Sequence, residues 1–262
     1  LIPFLFFYFT KRLRSGLTPK LTMLFILGGF QGLLGWYMVK SGLVDDPNVS
    51  QYRLTAHLGT AVLIYGAILW VAWSLLFKHE EQLLPMRTSA AGVTCAIFLM
   101  ILSGGLVAGT KAGYIYPTFP LMGNSFFPEG LYSMKPVWLS AFEDLGTVQF
   151  NHRIFAYFIV VIVSTFTFFS LKSRPIGPTR IGILCMFVMM FLQVLLGIST
   201  LVMNMPIAIA AAHQGGAVLL LTASLFVTHS LVKGNAKLAD DFSIESGITA
   251  PQEVTAAHSG RM

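Results

Sequence analysis

Acidic and basic side chains are scarce in this sequence. Asp, Glu, Lys and Arg make up 11% of its 262 residues, against about a quarter in soluble globular domains, while 55% are hydrophobic and the mean hydropathy is +0.72. So few charges cannot clothe a water-soluble surface, and the chain belongs in a bilayer. Cysteine is nearly absent as well. Cys95 and Cys185 both fall inside long apolar runs, so no disulfide framework is expected. The apolar stretch LIPFLFFYF at 1–9 lacks a basic leader and a cleavage site, which argues against a signal peptide. It is too short to span a membrane and reads as the tail of a helix that begins before Leu1.

What the sequence does have is length in hydrocarbon. Six apolar segments, near 21–39, 53–77, 89–110, 148–171, 181–203 and 208–231, are long enough to cross as helices, since about 20 residues at roughly 1.5 Å each match the apolar thickness. The basic residues alternate with them. Lys11, Arg12, Arg14 and Lys20, then Lys78 and Arg87, then Lys172, Arg174 and Arg180, then Lys233 and Lys237 share one side, expected to be the cytoplasm or the mitochondrial matrix. The net charge of +6 is therefore topological and carries no nucleic-acid signal. The polar stretch 232–262 is expected to be a disordered tail.

An internal repeat organises the spans. FQGLLGWYM at 30–38 echoes LQVLLGIST at 192–200, and AHLGTAVLIYGAILW at 56–70 echoes AHQGGAVLLLTASLF at 212–226. The order of elements is the same in each copy, so two similarly oriented halves related by an axis along the membrane normal are expected. Aligning Gln31 with Gln193 maps Leu1 onto Val163, which places the counterpart of His152 before the first residue given. The fold class expected is thus an all-α polytopic membrane protein of two parallel four-helix-bundle repeats, eight helices in the parent, with six complete and one partial here. Residues 1–77 would be the remnant of the N-terminal half, 78–88 an inner linker and 89–231 the C-terminal half.

His57, His152 and His213 each lie in the first turns of a helix entered from the less basic side. A charged or polar ring at the edge of hydrocarbon is costly, and one alone is commonly satisfied by water or a neighbouring carbonyl. Three in register suggest axial ligands of haem iron, which two imidazoles on facing helices can clamp. His152 and His213 would form one such pair within the C-terminal half. Gly59, Gly215 and Gly216 follow their histidines within one turn and could leave room for a porphyrin, or could simply let helices approach. Arg53 and Arg153 could reach haem propionates or snorkel to headgroups. His79 and His258 lie in polar stretches and are expected to be solvated, and His229 sits about 24 Å from His213 by helical rise.

GFQGLLGWYMVKSGL (29–43), VSQYRLTAHLGTA (49–61), FPLMGNSFFPEGL (119–131), VQFNHRI (148–154) and AAHQGGA (211–217) together resemble the haem A synthase family of proteobacteria and mitochondria. The resemblance runs from about residue 10 to 232. It implies an integral membrane haem-dependent oxidoreductase that oxidises the C8 methyl of haem O to a formyl group, making haem A for cytochrome oxidase assembly. It also implies that His152 and His213 hold a haem b cofactor and that His57 is one of two histidine iron ligands at the haem O site. The second, with a glutamate three residues before it, belongs to a stretch outside this sequence, so the fragment alone is expected to be inactive. Gln149 stands at the matching position before His152.

The implied partners are haem O, received from haem O synthase, an unidentified electron donor, the lipid bilayer and a possible second copy of the chain. The implied place is a bacterial plasma membrane or mitochondrial inner membrane, with the haem sites near the periplasmic or intermembrane-space side. The loop 111–147 is expected to cover the second pocket or to dock a partner. Two other classes fit parts of the pattern. An electron-transfer cytochrome b would place histidine pairs at two depths, and a parallel-repeat transporter would place a polar site at the midplane.

Overall fold

The computed structural model describes residues 2–13, 16–40, 49–77 and 84–231, without the side chains of Leu84 and Pro85. Arg14, Lys78, His79, Lys233, Lys237, His258 and the polar tail lie outside the described residues. The described chain is helical: α1 (Ile2–Phe9), α2 (Leu17–Lys40), α3 (Gln51–Leu76), α4 (Leu84–Thr110), the short α5 (Ser140–Glu143), α6 (Leu145–Lys172), α7 (Gly177–Val202) and α8 (Ile207–Ser230). Helices α2, α3, α4, α6, α7 and α8 are each long and apolar enough to cross a membrane. The all-α polytopic expectation holds.

Most helices begin a few residues before the apolar segments do, because hydropathy discounts the polar residues of their first turns. At α6 the Asp144 carboxylate accepts from the backbone N–H of Thr147 at 2.7 Å and from its hydroxyl at 2.6 Å. Two otherwise orphaned donors are satisfied there. Lysines close helix ends by stacking on aromatics: the Lys172 ammonium lies 4.4 Å from the Phe168 ring centre, and that of Lys40 lies 4.7 Å from Trp36.

Packing closes four helices into a ring in which α4 meets α6, α6 meets α7, α7 meets α8 and α8 meets α4. This leaves α6 and α8 on opposite corners. The core between them is built from Ile97, Val163, Ile183, Met186, Met190, Leu220 and Val227. Lipid is as apolar as these side chains, so close approach and polar bonds between helices hold the bundle together. Gly105 admits Thr55, whose Oγ1 would lie 3.0 Å from a Cβ added to the glycine, and so brings α3 onto α4. Thr94 on α4 bonds Ser224 at 2.6 Å and Thr228 at 2.8 Å on α8, and Tyr65 on α3 bonds Thr222 at 2.9 Å. Helix α3 thus leans on α4 and α8, while α2 packs on α3 and buries no residue.

Candidate functional site

His57, His152 and His213 stand seventh, eighth and seventh in α3, α6 and α8, about 9–11 Å along the axis from helix starts at the same end of the bundle. Each ring is held by the helix beside it. His152 Nδ1 lies 3.0 Å from the Ser103 hydroxyl on α4, and a Cβ on the adjoining Gly104 would sit 3.5 Å from His152 Cε1. His213 Nδ1 lies 3.0 Å from Gln193 Nε2 on α7, which also donates to the His213 carbonyl at 2.7 Å. A Cβ on Gly197, one turn after Gln193, would come within 2.8 Å of His213 Cε1. The same arrangement recurs on α2 and α3. Gln31 Nε2 donates to the His57 carbonyl at 2.9 Å and lies 3.1 Å from Nδ1 and 3.4 Å from Nε2, and a Cβ on Gly35 would lie 3.1 Å from His57 Cε1.

The ring corners matter for chemistry. His152 and His213 come from opposite corners of the four-helix ring. Their Nδ1 atoms are engaged, and Nε2 of neither is hydrogen-bonded among the described residues. Among the described residues no group of three or more His, Cys, Asp or Glu forms a cage for a bare ion. A pair of imidazoles offering Nε2 suits a metal already held by a macrocycle, which needs axial ligands alone.

The loop after α4 folds back over the same end. Arg153 Nη2 donates to the Tyr116 carbonyl at 2.8 Å and Nη1 to those of Leu121 and Pro120 at 3.3 and 3.5 Å. Buried Gln149, one turn earlier, donates to Tyr116 and Gly113 carbonyls at 3.2 and 3.4 Å. Tyr132 OH donates to Asn151 at 2.7 Å, and Phe126 stacks on Tyr157 with centroids 6.4 Å apart. Tyr52 OH donates to Glu143 at 2.8 Å and ties α3 to α5.

The sequence model of the cytochrome oxidase assembly family COX15-CtaA matches residues 1–225. A curated relative in Nitrosospira multiformis, "Heme A synthase", is 45% identical over 88% of this chain and 66% of its own length. One of the same name in Parvibaculum lavamentivorans is 44% identical over 88% and 67%. The human "Heme A synthase COX15" is 40% identical over 88% of this chain and 59% of its own. The chain belongs to the COX15-CtaA family. It spans about two thirds of the length of these bacterial relatives, and less of the human one.

In this COX15-CtaA protein the glycines that follow His57 and His213 are turned to neighbours other than those imidazoles. Gly215 lies two positions after His213, about 200° around the helix, so it faces away from the imidazole. It lines an apolar cleft of about 460 Å³ between α7 and α8, with Met189, Leu192, Leu195 and Leu219. Gly216 is filled by Gln193 Oε1, which a Cβ would strike. Gly59 likewise seats Leu102 of α4, 2.8 Å from where its Cβ would be. The glycines that lie against the imidazoles are Gly35, Gly104 and Gly197, on neighbouring helices. Arg153 spends both terminal nitrogens on loop carbonyls, leaving its buried Nε without a partner. Arg53 stacks on Tyr37, with its guanidinium 4.9 Å from the ring centre. His229 is 1% exposed, bonded to Ser74 at 3.1 Å and set edge-on to Trp70 at 5.0 Å. Sequence reading missed Gln31, Gln193 and Ser103 as partners of histidine. The repeated Q-x-x-x-G spacing of 31–35 and 193–197 was the available signal for the glutamines.

Proposed function

We propose that the chain is part of a haem A synthase and that His152 and His213 would hold its haem b cofactor by the iron. The observation that carries this reading is the placing of these two imidazoles on opposite corners of a four-helix ring, each engaged at Nδ1 and open at Nε2. His57, whose ring Gln31 grips from α2, is the ligand this chain contributes to the haem O site. Residues 1–77 and 89–231 are then the remnant of one four-helix half and the whole of the other.

Bound haem supplies the redox-active iron needed to oxidise a methyl C–H bond to a formyl group, chemistry for which no side chain suffices. The chain's own residues do the positioning. Ser103 and Gln193 hold the two rings, and the loop stapled by Gln149 and Arg153 limits water at that end. Exposed apolar side chains such as Leu33, Leu63 and Phe158 keep the helices facing lipid, where a prenylated haem would dissolve. The distribution of basic residues supports a histidine end on the periplasmic or intermembrane-space side. Haem O would arrive from haem O synthase, and an electron donor would act at the same membrane.

A reduced-minus-oxidised optical spectrum with pyridine extraction tests the ligand assignment. We expect one low-spin b-type haem in the purified chain, lost in His152→Ala and in His213→Ala. Retention of that spectrum in both variants would refute it.

A further inference from the structure

Gln31 and Gln193 grip two different histidines alike, except that the Gln31 amide nitrogen also lies 3.4 Å from His57 Nε2. Each amide nitrogen donates to its histidine's backbone carbonyl and lies against its Nδ1. In both amides Oε1 is buried and has no hydrogen-bond partner. One orphaned buried acceptor calls for an explanation. Two, at matching places of an internal repeat and both beside an imidazole, call for a shared one.

The chemistry of imidazole supplies it. A neutral ring carries one proton, and a bond from Nε2 to iron uses the Nε2 lone pair. The proton is then on Nδ1, which becomes a donor in need of an acceptor. The amide beside each Nδ1 carries an acceptor that no donor has taken. Turning it so that Oε1 meets Nδ1–H, while Nε2 keeps the carbonyl, satisfies all three groups together.

We propose that Gln193 and Gln31 are positioning residues for the histidine ligands: each anchors to the histidine carbonyl through Nε2 and accepts Nδ1–H on Oε1, fixing the tautomer that presents Nε2 to iron. The proposal rests on the reading of His213 and His57 as haem ligands. The surrounding glycines fit the same role. Gly216 leaves the space in which the Gln193 amide can turn, and Gly35 and Gly197 let the ring edges lie against the helices that carry the amides. At His152 the Ser103 hydroxyl stands in the equivalent place, able to accept from Nδ1–H.

The acceptor at Nδ1 sets how strongly the imidazole donates to iron, so the amide's role is readable in the redox potential. The test titrates haem b into the full chain in detergent as wild type, Gln193→Leu, Gln193→Glu and Gln31→Leu, recording optical spectra, low-spin electron paramagnetic resonance and midpoint potential. Gln193→Leu is expected to weaken haem binding by about tenfold or more and to raise the potential. Gln193→Glu, nearly the same shape with a stronger acceptor, is expected to lower it. Gln31→Leu faces His57 and is expected to leave the haem held by His152 and His213 unchanged.

A packing role would not shift the two Gln193 variants in opposite directions. Equal or same-sign shifts overturn the proposal while leaving the ligand reading intact. No low-spin spectrum in the wild type sinks the ligand reading and the proposal together. Size exclusion and helical circular dichroism identify a variant that has not folded, and the near-isosteric glutamate variant then decides.

Discussion

Arg153 on α6 donates to the carbonyl of Tyr116 at 2.8 Å, and Gln149, one turn before it, donates to the same oxygen at 3.2 Å. Two side chains of one helix thus converge on one carbonyl of a loop that arrives from another helix. Charge-assisted bonds of this kind contribute about 1.5–3 kcal/mol. Arg153→Leu is expected to release the segment around 116–123 and speed its cleavage by added protease at least several-fold. Arg153→Lys keeps the charge but loses the fork, and should fall between. Equal cleavage in all three proteins would show that the loop is held elsewhere.

The glycines facing the imidazoles differ in how much room they leave. A methyl at Gly197 would come within 2.8 Å of the His213 ring, and one at Gly104 would sit at an ordinary 3.5 Å from that of His152. Gly197→Ala is therefore expected to cost about 1–3 kcal/mol by overpacking and to disturb haem spectra. Gly104→Ala should do neither. Thermal melts with matched optical spectra check the pair, and a silent Gly197→Ala would contradict the stated ring position.

Thr94 serves two hydroxyls of α8 at once, Ser224 at 2.6 Å and Thr228 at 2.8 Å. Interhelical bonds in a bilayer are worth about 0.6–2 kcal/mol. Thr94→Val keeps the shape and removes both, so it should lower stability by one to two such increments. Adding Ser224→Ala and Thr228→Ala to it should cost less than the sum of separate losses, because the partners are shared. Steric trapping or denaturation in mixed detergent would measure this.

His229 is buried against Ser74, Trp70 and Trp73, far along α8 from His213. Its role on this geometry is to join α8 to α3. His229→Leu is expected to destabilise the bundle by about 0.5–1.5 kcal/mol by removing its bond to Ser74, while the haem spectrum stays as in the wild type. A changed spectrum would place a cofactor at that depth and revive the two-level cytochrome reading.

The spans and the three histidines were legible because both are one-dimensional signals. Apolar runs mark helices, and a histidine at the edge of such a run stands out by its cost. Neighbour relations were not legible. Gly215 follows His213 closely in the chain and faces the other way, whereas Gly197 is 16 positions distant and lies against the ring. Which glycine meets which imidazole depends on helix rotation and on α7 lying beside α8, and hydropathy carries neither. The glutamines were half visible, since Gln31 and Gln193 mark the register of the repeat, but nothing in sequence joined them to His57 and His213. Ser103, in a run of small residues, gave no signal at all.

Gln193 and His213 are 20 residues apart on two helices joined by a four-residue turn at 203–206, whereas Ser103 and His152 are separated by 49 residues and a long loop. Loop closure costs entropy only logarithmically in the separation, so the longer arm costs about 0.8 kcal/mol more to close. One imidazole is therefore gripped within a local hairpin and the other across a distant contact between α4 and α6, two kinds of tether that meet at one end of the bundle.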